Sequence, residues 1–421
     1  MEKEDIVDYL KEYENFKPAL MERELSVPLD SSFVISIIGP RRAGKTYYLF
    51  QLSREMSDYI YLNFEDSRLY GVKHTELRDI IRTYIEIYGK EPGTLLLDEI
   101  QNVKNWEIVV RELHDLKRYR TFLTGSSSKL LSKEIATQLR GRTLSYLLLP
   151  FSFREFSKAK GLKIEKYMSR DASARIKHYL QEYMEFGGFP EVVLSKEKVK
   201  ILKEYAELIL FKDFIEKHQI KNVELARVLH SFTIRNFTNE ISVNALFNRV
   251  KSMGVRVSKN TVYDYLSKLE DTAFFFFLRK YSEKPHLRES YPKKIYLCDT
   301  GLTKTLRHSE DKGKLIENIV FLELQRKTNS NPLLEVFYWK DYQEREVDFI
   351  IKEGTQINQL IQVTYALTPE NEKREIRSLL KASRELNCKN LLMITWDQEE
   401  DLKEGNKKIK VTQLWKWLIE Q

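Results

Sequence analysis

The chain has 421 residues, 42% hydrophobic and 31% charged, with a formal net charge of +8. That length predicts two to four domains, and no apolar run approaches membrane-spanning length, Phe274–Leu278 being only five residues. The acidic, polar opening MEKEDIVDYLKEYE is neither a secretory signal nor a transit peptide, and two distant cysteines, Cys298 and Cys388, lack metal-ligand spacing, so a cytoplasmic protein in a reducing compartment is expected.

Residues 1–30 read as a lead-in, with Ile6, Tyr9, Leu10 and Tyr13 at helical spacing. Phe33, Val34, Ile35, Ile37 and Ile38 then predict a buried strand. It runs into Gly39-Pro40-Arg41-Arg42-Ala43-Gly44-Lys45-Thr46, a complete G-x-x-x-x-G-K-S/T loop followed by a helix. The glycines let backbone N–H groups fold round a phosphate, and the following helix directs its positive end at the same anion. In this reading residues 39–47, through Tyr47, bind the nucleotide. Lys45 reaches the β- and γ-phosphates, and the Thr46 hydroxyl serves Mg²⁺.

A second strand is predicted over Tyr59–Asp66, ending in polar groups, a helix over Leu77–Tyr88, and a buried strand over Thr94–Leu97 ending in Asp98 and Glu99. That strand is expected beside the P-loop strand, so that Asp98 serves the metal ion and Glu99 polarises the attacking water. Asn105 is the expected cap of a helix with Trp106, Val109, Val110, Leu113 and Leu116 on one face. Thr121-Phe122-Leu123 predicts a fourth strand, after which Ser126 is the expected contact to the γ-phosphate or the water. A fifth strand, Leu144–Leu149, follows Arg140-Gly141-Arg142. Arg142, with Arg140 close behind, is the candidate arginine finger, a role in trans that requires a homo-oligomer. Alternating strands and helices predict an α/β, doubly wound parallel sheet over residues 1–150.

GPRRAGKT, LLLDEIQ, LTGSSSKLLSKEIATQLRGR, LPFSFREF and FGGFPEVV resemble the AAA-type ATPases found widely in archaea and bacteria, whose C-terminal region has a nuclease-like fold of unassigned function. The resemblance implies the AAA+ strand order, ATP as the nucleotide, Asn63 as a switch residue restraining Glu99, and a helical lid over residues 151–221. The helices of that lid are interrupted at Phe186-Gly187-Gly188-Phe189-Pro190.

Residues 222–311 carry the charge excess: Arg249–Lys294 holds eleven Lys/Arg against five Asp/Glu. Val243–Met253 and Ser258–Glu270 have helix–turn–helix spacing, and Phe274–Tyr281 with Lys294–Cys298 reads as a wing. Val262, Tyr265, Leu266 and Leu269 form the predicted buried stripe. A winged helix contacting duplex DNA would set Lys259 and Lys268 on phosphates and Asn260 or Tyr263 nearer the bases. Beyond Lys312 the order helix, three strands, helix, strand, helix resembles the PD-(D/E)xK restriction-endonuclease fold. Glu317 and Asp348 match its first two acidic places, but Gln362-Val363-Thr364 lacks the third acid and the lysine. A catalytically degenerate domain over 312–421 is expected, serving binding rather than cleavage. The leading expectation is a Mg²⁺-dependent ATPase acting on DNA; the alternatives are a nucleotide-gated switch working on protein partners and an ATP-regulated nuclease.

Overall fold

The computed structural model describes residues 2–14, 16–125, 137–162, 169–306 and 311–420. They form two compact units, Met1–Leu149 and Pro150–Gln421.

The first unit is a five-stranded parallel sheet in the order β2-β3-β4-β1-β5, made of β1 (Val34–Ile38), β2 (Tyr59–Asn63), β3 (Thr94–Asp98), β4 (Arg120–Gly125) and β5 (Thr143–Leu147). This is the AAA+ order that the resemblance implies, and it corrects the expectation that the acid-bearing strand lies beside the P-loop strand. The acid-bearing β3 does not adjoin β1; β4 lies between them. Helices cover both faces, so strand residues are buried on either side. Ile60, Leu62, Leu95 and Leu97 pack with α1 (Lys3–Glu14), α3 (Leu77–Tyr88) and α4 (Trp106–Asp115), while Tyr61, Leu96 and Phe122 pack with α2 (Lys45–Ser53). The two-residue period thus splits each continuous apolar run between two cores. Asn105 does not cap α4 with its side chain; it takes a left-handed backbone (φ 59°), which asparagine tolerates.

The lead-in is fastened to α2 by paired polar contacts. Gln51 accepts the Arg23 amide at 2.7 Å and donates to the Arg23 carbonyl at 3.1 Å, and the Tyr48 hydroxyl donates to the Leu25 carbonyl.

In the second unit, α5 (Phe153–Ala159) begins with a capping box: Ser152 Oγ accepts the Glu155 amide and the Glu155 carboxylate accepts the Ser152 amide. α6 (Arg170–Phe186), α7 (Pro190–Leu194) and α8 (Lys198–Leu208) follow, the last continuing as a π-helix over Ile209–Glu216. Gly187-Gly188 breaks the helices because Asp299 occupies the space a side chain would need. The carboxylate accepts the Gly188 amide at 2.6 Å and the Gly301 amide at 2.8 Å. A Cβ on Gly187, whose φ is +74°, would lie 1.6 Å from Asp299 Oδ1.

After α9 (Val223–Arg235), the short strand β6 (Glu240–Ile241) leads to α10 (Val243–Ser252) and α11 (Lys259–Glu270). Ser258 caps α11, and Val262, Tyr265, Leu266 and Leu269 are its buried residues, as the spacing predicts. β7 (Phe275–Leu278), α12 (Pro285–Ser290) and β8 (Lys293–Leu297) complete a three-stranded antiparallel sheet in the order β6-β8-β7.

Finally α13 (Lys312–Ser330) precedes a six-stranded mixed sheet. Its order is β13-β14-β12-β11-β10-β9, built from β9 (Leu334–Lys340), β10 (Glu346–Glu353), β11 (Gln356–Val363), β12 (Leu391–Thr395), β13 (Glu400–Glu404) and β14 (Lys407–Gln413), with α14 (Glu372–Glu385) and α15 (Leu414–Ile419). The hairpin β13–β14 is absent from the sequence expectation: its outer strand, EDLKE, has no apolar alternation to betray it.

Candidate functional site

The P-loop joins β1 to α2. Gly39 (φ +151°) runs so close to the strand-5 connection that a Cβ would meet the Leu148 carbonyl oxygen at 2.1 Å. Arg42 and Gly44 also have positive φ, bending residues 39–44 into a compact loop. From behind, the buried Arg23 guanidinium donates to the Ala43 carbonyl at 2.7 Å and to the Leu149 carbonyl at 2.6 Å. Lys45 is buried inside the loop and donates to the carbonyls of Gly39 and Pro40 at 3.1 and 3.0 Å. Arg41 lies 3.5 Å from the Glu65 carboxylate, whereas Arg42 and Tyr47 are exposed.

Asp98, almost wholly buried, is the focus of a polar network. Thr46 Oγ1 donates to its Oδ2 at 2.7 Å, the Tyr61 hydroxyl donates to the same oxygen at 2.8 Å, and the Thr124 hydroxyl donates to Oδ1. Burial first, and then the neighbouring Glu99 charge, push the Asp98 carboxyl above the usual range against these donors. Glu99 has a left-handed backbone (φ 53°), a costly conformation for glutamate, and its amide donates to Thr124 Oγ1 at 3.0 Å. Gln101 Nε2 donates to the Glu99 carboxylate. Asn63 meanwhile accepts the Glu65 amide through its side chain. Glu65 is raised by partial burial and then by Glu99, against the pull of Arg41, Lys45 and Arg42.

Three residues of this network escape the sequence reading. Thr124 stands where β4 tapers into Gly125, and its signal is a hydroxyl at the last side-chain position of an apolar strand. Ser126, chosen instead, lies outside the described residues. Tyr61 looks like an ordinary strand aromatic, and Arg23 sits in a lead-in with no motif. Arg142 is half-buried and grips Asp115 through Nε at 2.7 Å and Nη2 at 3.1 Å; Arg140 is exposed and has φ 50°.

On α11 the side chains of Lys259, Asn260 and Tyr263 are exposed, while Lys268 is engaged with Asp264 at 2.8 Å. Lys294, counted above in the basic excess, is no surface charge at all. It is buried, donating to Glu317 Oε1 at 2.9 Å and Asp348 Oδ1 at 3.1 Å and lying 2.5 Å from Glu346 Oε1. Tyr296 adds a hydroxyl donor to Glu317 at 2.7 Å. Burial works against the Lys294 charge, but Glu317, Tyr296, Asp348 and Glu346 outweigh it and hold its pKa well above the ordinary value. Burial pushes the Asp348 carboxyl up, against the pull of Lys294. Gln362 Nε2 donates to Glu375 at 2.7 Å, and Thr364 Oγ1 donates to the Ala366 carbonyl at 3.3 Å.

Residues 31–157 match the family described as an AAA domain; residues 177–312 and 312–417 match two domains of unknown function, DUF8612 and DUF4143. The chain is 39% identical to the uncharacterized protein MJ1544 of Methanocaldococcus jannaschii, across 96% of this chain and 92% of that protein. An uncharacterized protein of Haemophilus influenzae is 30% identical across 81% of this chain and 84% of its own length. Among solved structures, the Walker-type ATPase PABY2304 of Pyrococcus abyssi is similar with a TM-score of 0.43 and 13% identity, covering 72% of this chain and 95% of that one. With its AAA-type P-loop domain, the chain belongs to the same family as MJ1544.

Proposed function

We propose that the first unit binds ATP with Mg²⁺ and hydrolyses it, and that turnover serves action on duplex DNA. One observation carries the ATPase reading: Thr46 and Asp98, 52 positions apart, meet at 2.7 Å at the mouth of the P-loop, with Glu99 next in the chain. A hydroxyl and a carboxylate are the hard oxygen donors that magnesium selects, so these two residues would hold the ion, which when bound neutralises charge on the β- and γ-phosphates. Lys45 would exchange its two loop carbonyls for phosphate oxygens, a stronger, charge-assisted interaction. Glu99 would take the proton of the attacking water, with Thr124 fixing the backbone from which it projects. In this reading Gln101, rather than Asn63, holds the Glu99 carboxylate between turnovers. Arg142 would serve as an arginine finger only in a homo-oligomer and only after leaving Asp115.

We read residues 222–311 as a winged helix, with Lys259, Asn260 and Tyr263 as its exposed contacts and Lys268 joining them when it leaves Asp264. Residues 312–421 we read as a nuclease-like scaffold retained for binding. The test is the steady-state ATPase rate with and without duplex DNA at low and moderate salt. Stimulation that fades with salt supports phosphate contact by the basic segment. A slow rate indifferent to DNA favours a nucleotide-gated switch acting on protein partners. The pairing of Lys268 with Asp264 and the burial of Lys294 favour that second reading, because both subtract from the charge available to a phosphate backbone.

A further inference from the structure

A nuclease-like fold implies a divalent metal held by Glu317 and Asp348. The residues present do not fit one. Glu346 and Asp348 stand two apart on β10 and so project to the same face, where Glu317 meets them from α13. The point shared by these three carboxylates is filled: Lys294 Nζ lies 2.9 Å from Glu317, 3.1 Å from Asp348 and 2.5 Å from Glu346. Among the described residues no group of three or more acids, histidines or cysteines is disposed to hold a metal ion.

We propose that Glu317, Glu346 and Asp348 form a cation site whose occupant is this chain's own Lys294 ammonium, which takes the place of a divalent metal. A buried ammonium surrounded by carboxylates satisfies its three donors and supplies charge that the acids need, with no exchangeable ion. The surrounding groups support a permanent occupant. Tyr296 donates to Glu317 at 2.7 Å, the Val363 amide donates to the second oxygen of Asp348 at 2.9 Å, and the Lys294 side chain is only 3% exposed. The lysine comes from β8, in the three-stranded sheet, whereas the acids belong to α13 and β10. The substitution therefore also joins the β6-β8-β7 sheet to the C-terminal sheet. A scissile phosphodiester would meet the Lys294 ammonium at the point that the three acids share. The inference rests on these four side chains and is independent of ATP hydrolysis.

The experiment uses the full chain, with Mn²⁺ as the probe, followed by electron paramagnetic resonance and thermal melting without nucleotide. Wild type should bind no Mn²⁺ through these acids, so adding Glu317→Gln should leave its Mn²⁺ titration unchanged. Lys294→Ala should melt roughly 10 °C lower, since it leaves buried carboxylates without their counter-charge, and should regain part of that loss on adding Mn²⁺. If Lys294→Ala does not fold, the combination Lys294→Met, Glu317→Gln, Asp348→Asn removes the cation together with two anions and should restore folding. Mn²⁺ binding by wild type that Glu317→Gln abolishes would overturn the proposal. So would Mn²⁺-dependent cleavage of DNA by wild type that Glu317→Gln abolishes, or a combined variant no more stable than Lys294→Ala.

Discussion

The Thr124 hydroxyl accepts the backbone amide of Glu99 at 3.0 Å while donating its own proton to Asp98. One side chain at the end of β4 thus fixes the two consecutive acids at the end of β3, the strand beside it. Because β4 stands between the P-loop strand and the acid strand, it is positioned to hold their ends in register. Thr124→Val keeps the shape and removes both hydrogen bonds. A bond to a charged group is worth about 1.5–3 kcal/mol, so turnover should fall roughly 10- to 100-fold while nucleotide still binds. Single-turnover hydrolysis beside a nucleotide-binding titration checks this, and unchanged turnover would remove Thr124 from the site.

Lys45→Ala should weaken nucleotide binding by at least ~10²-fold, because charge-assisted contacts to the phosphates are lost. Equilibrium binding of a fluorescent ATP analogue reads this directly. Binding at wild-type strength would contradict the P-loop assignment.

Glu99→Gln preserves size and the left-handed backbone but removes the base. ATP should still bind, and hydrolysis should slow by ~10²-fold or more. A variant with full activity would require another base, and Glu65 would be the next residue to replace.

Asp299 gives the second unit a pH dependence of stability. Burial raises its carboxyl from 3.8 to about 7, although the amides of Gly188 and Gly301 work to lower it. Between those values the folded chain keeps a proton that the unfolded chain has released. Its stabilising contribution is therefore complete below about pH 4 and is lost as pH rises through about 7, by at most about 4 kcal/mol. Denaturant melts across this range, compared with Asp299→Asn, should show a falling stability difference that flattens above neutrality.

Gly187→Ala should destabilise the same unit by more than ~3 kcal/mol, since it forces a methyl group into the Asp299 carboxylate at a left-handed backbone position. A melt within a degree of wild type would mean that the α6–α7 break tolerates a side chain.

The local sequence exposed much of the first unit. Five apolar runs became five strands, and the loop at the end of β1 and the acid pair at the end of β3 were legible in place because each is a run of neighbouring residues in the chain. Long-range order was less visible. Nothing in Thr94–Asp98 says that β4 separates it from β1, because strand order is decided by helix crossovers rather than strand composition. The same limit hid Lys294. Its flanking strand, with Lys293 before it and Ile295 after, reads as a wing edge, and only the arrival of α13 and β10 makes it internal. Asp299 and the two glycines, 111 positions from Gly188 to the acid, were likewise readable only as a turn and a strand end.

The hydrogen bonds of the second unit have a consequence for synthesis on the ribosome. Arg326 donates to the Pro150 carbonyl, and Lys177 pairs with Asp397. The segment just after Leu149 thus has to wait for partners made as late as Asp397, whereas the first unit has all its strands once Leu147 emerges. At about 5–20 residues per second, that interval lasts on the order of 10–50 s. During it, Phe153, Phe156 and Phe189 expose surfaces that are buried in the folded protein. Nascent chains should therefore be most dependent on chaperones, and most open to proteases, between the P-loop unit and the last strand.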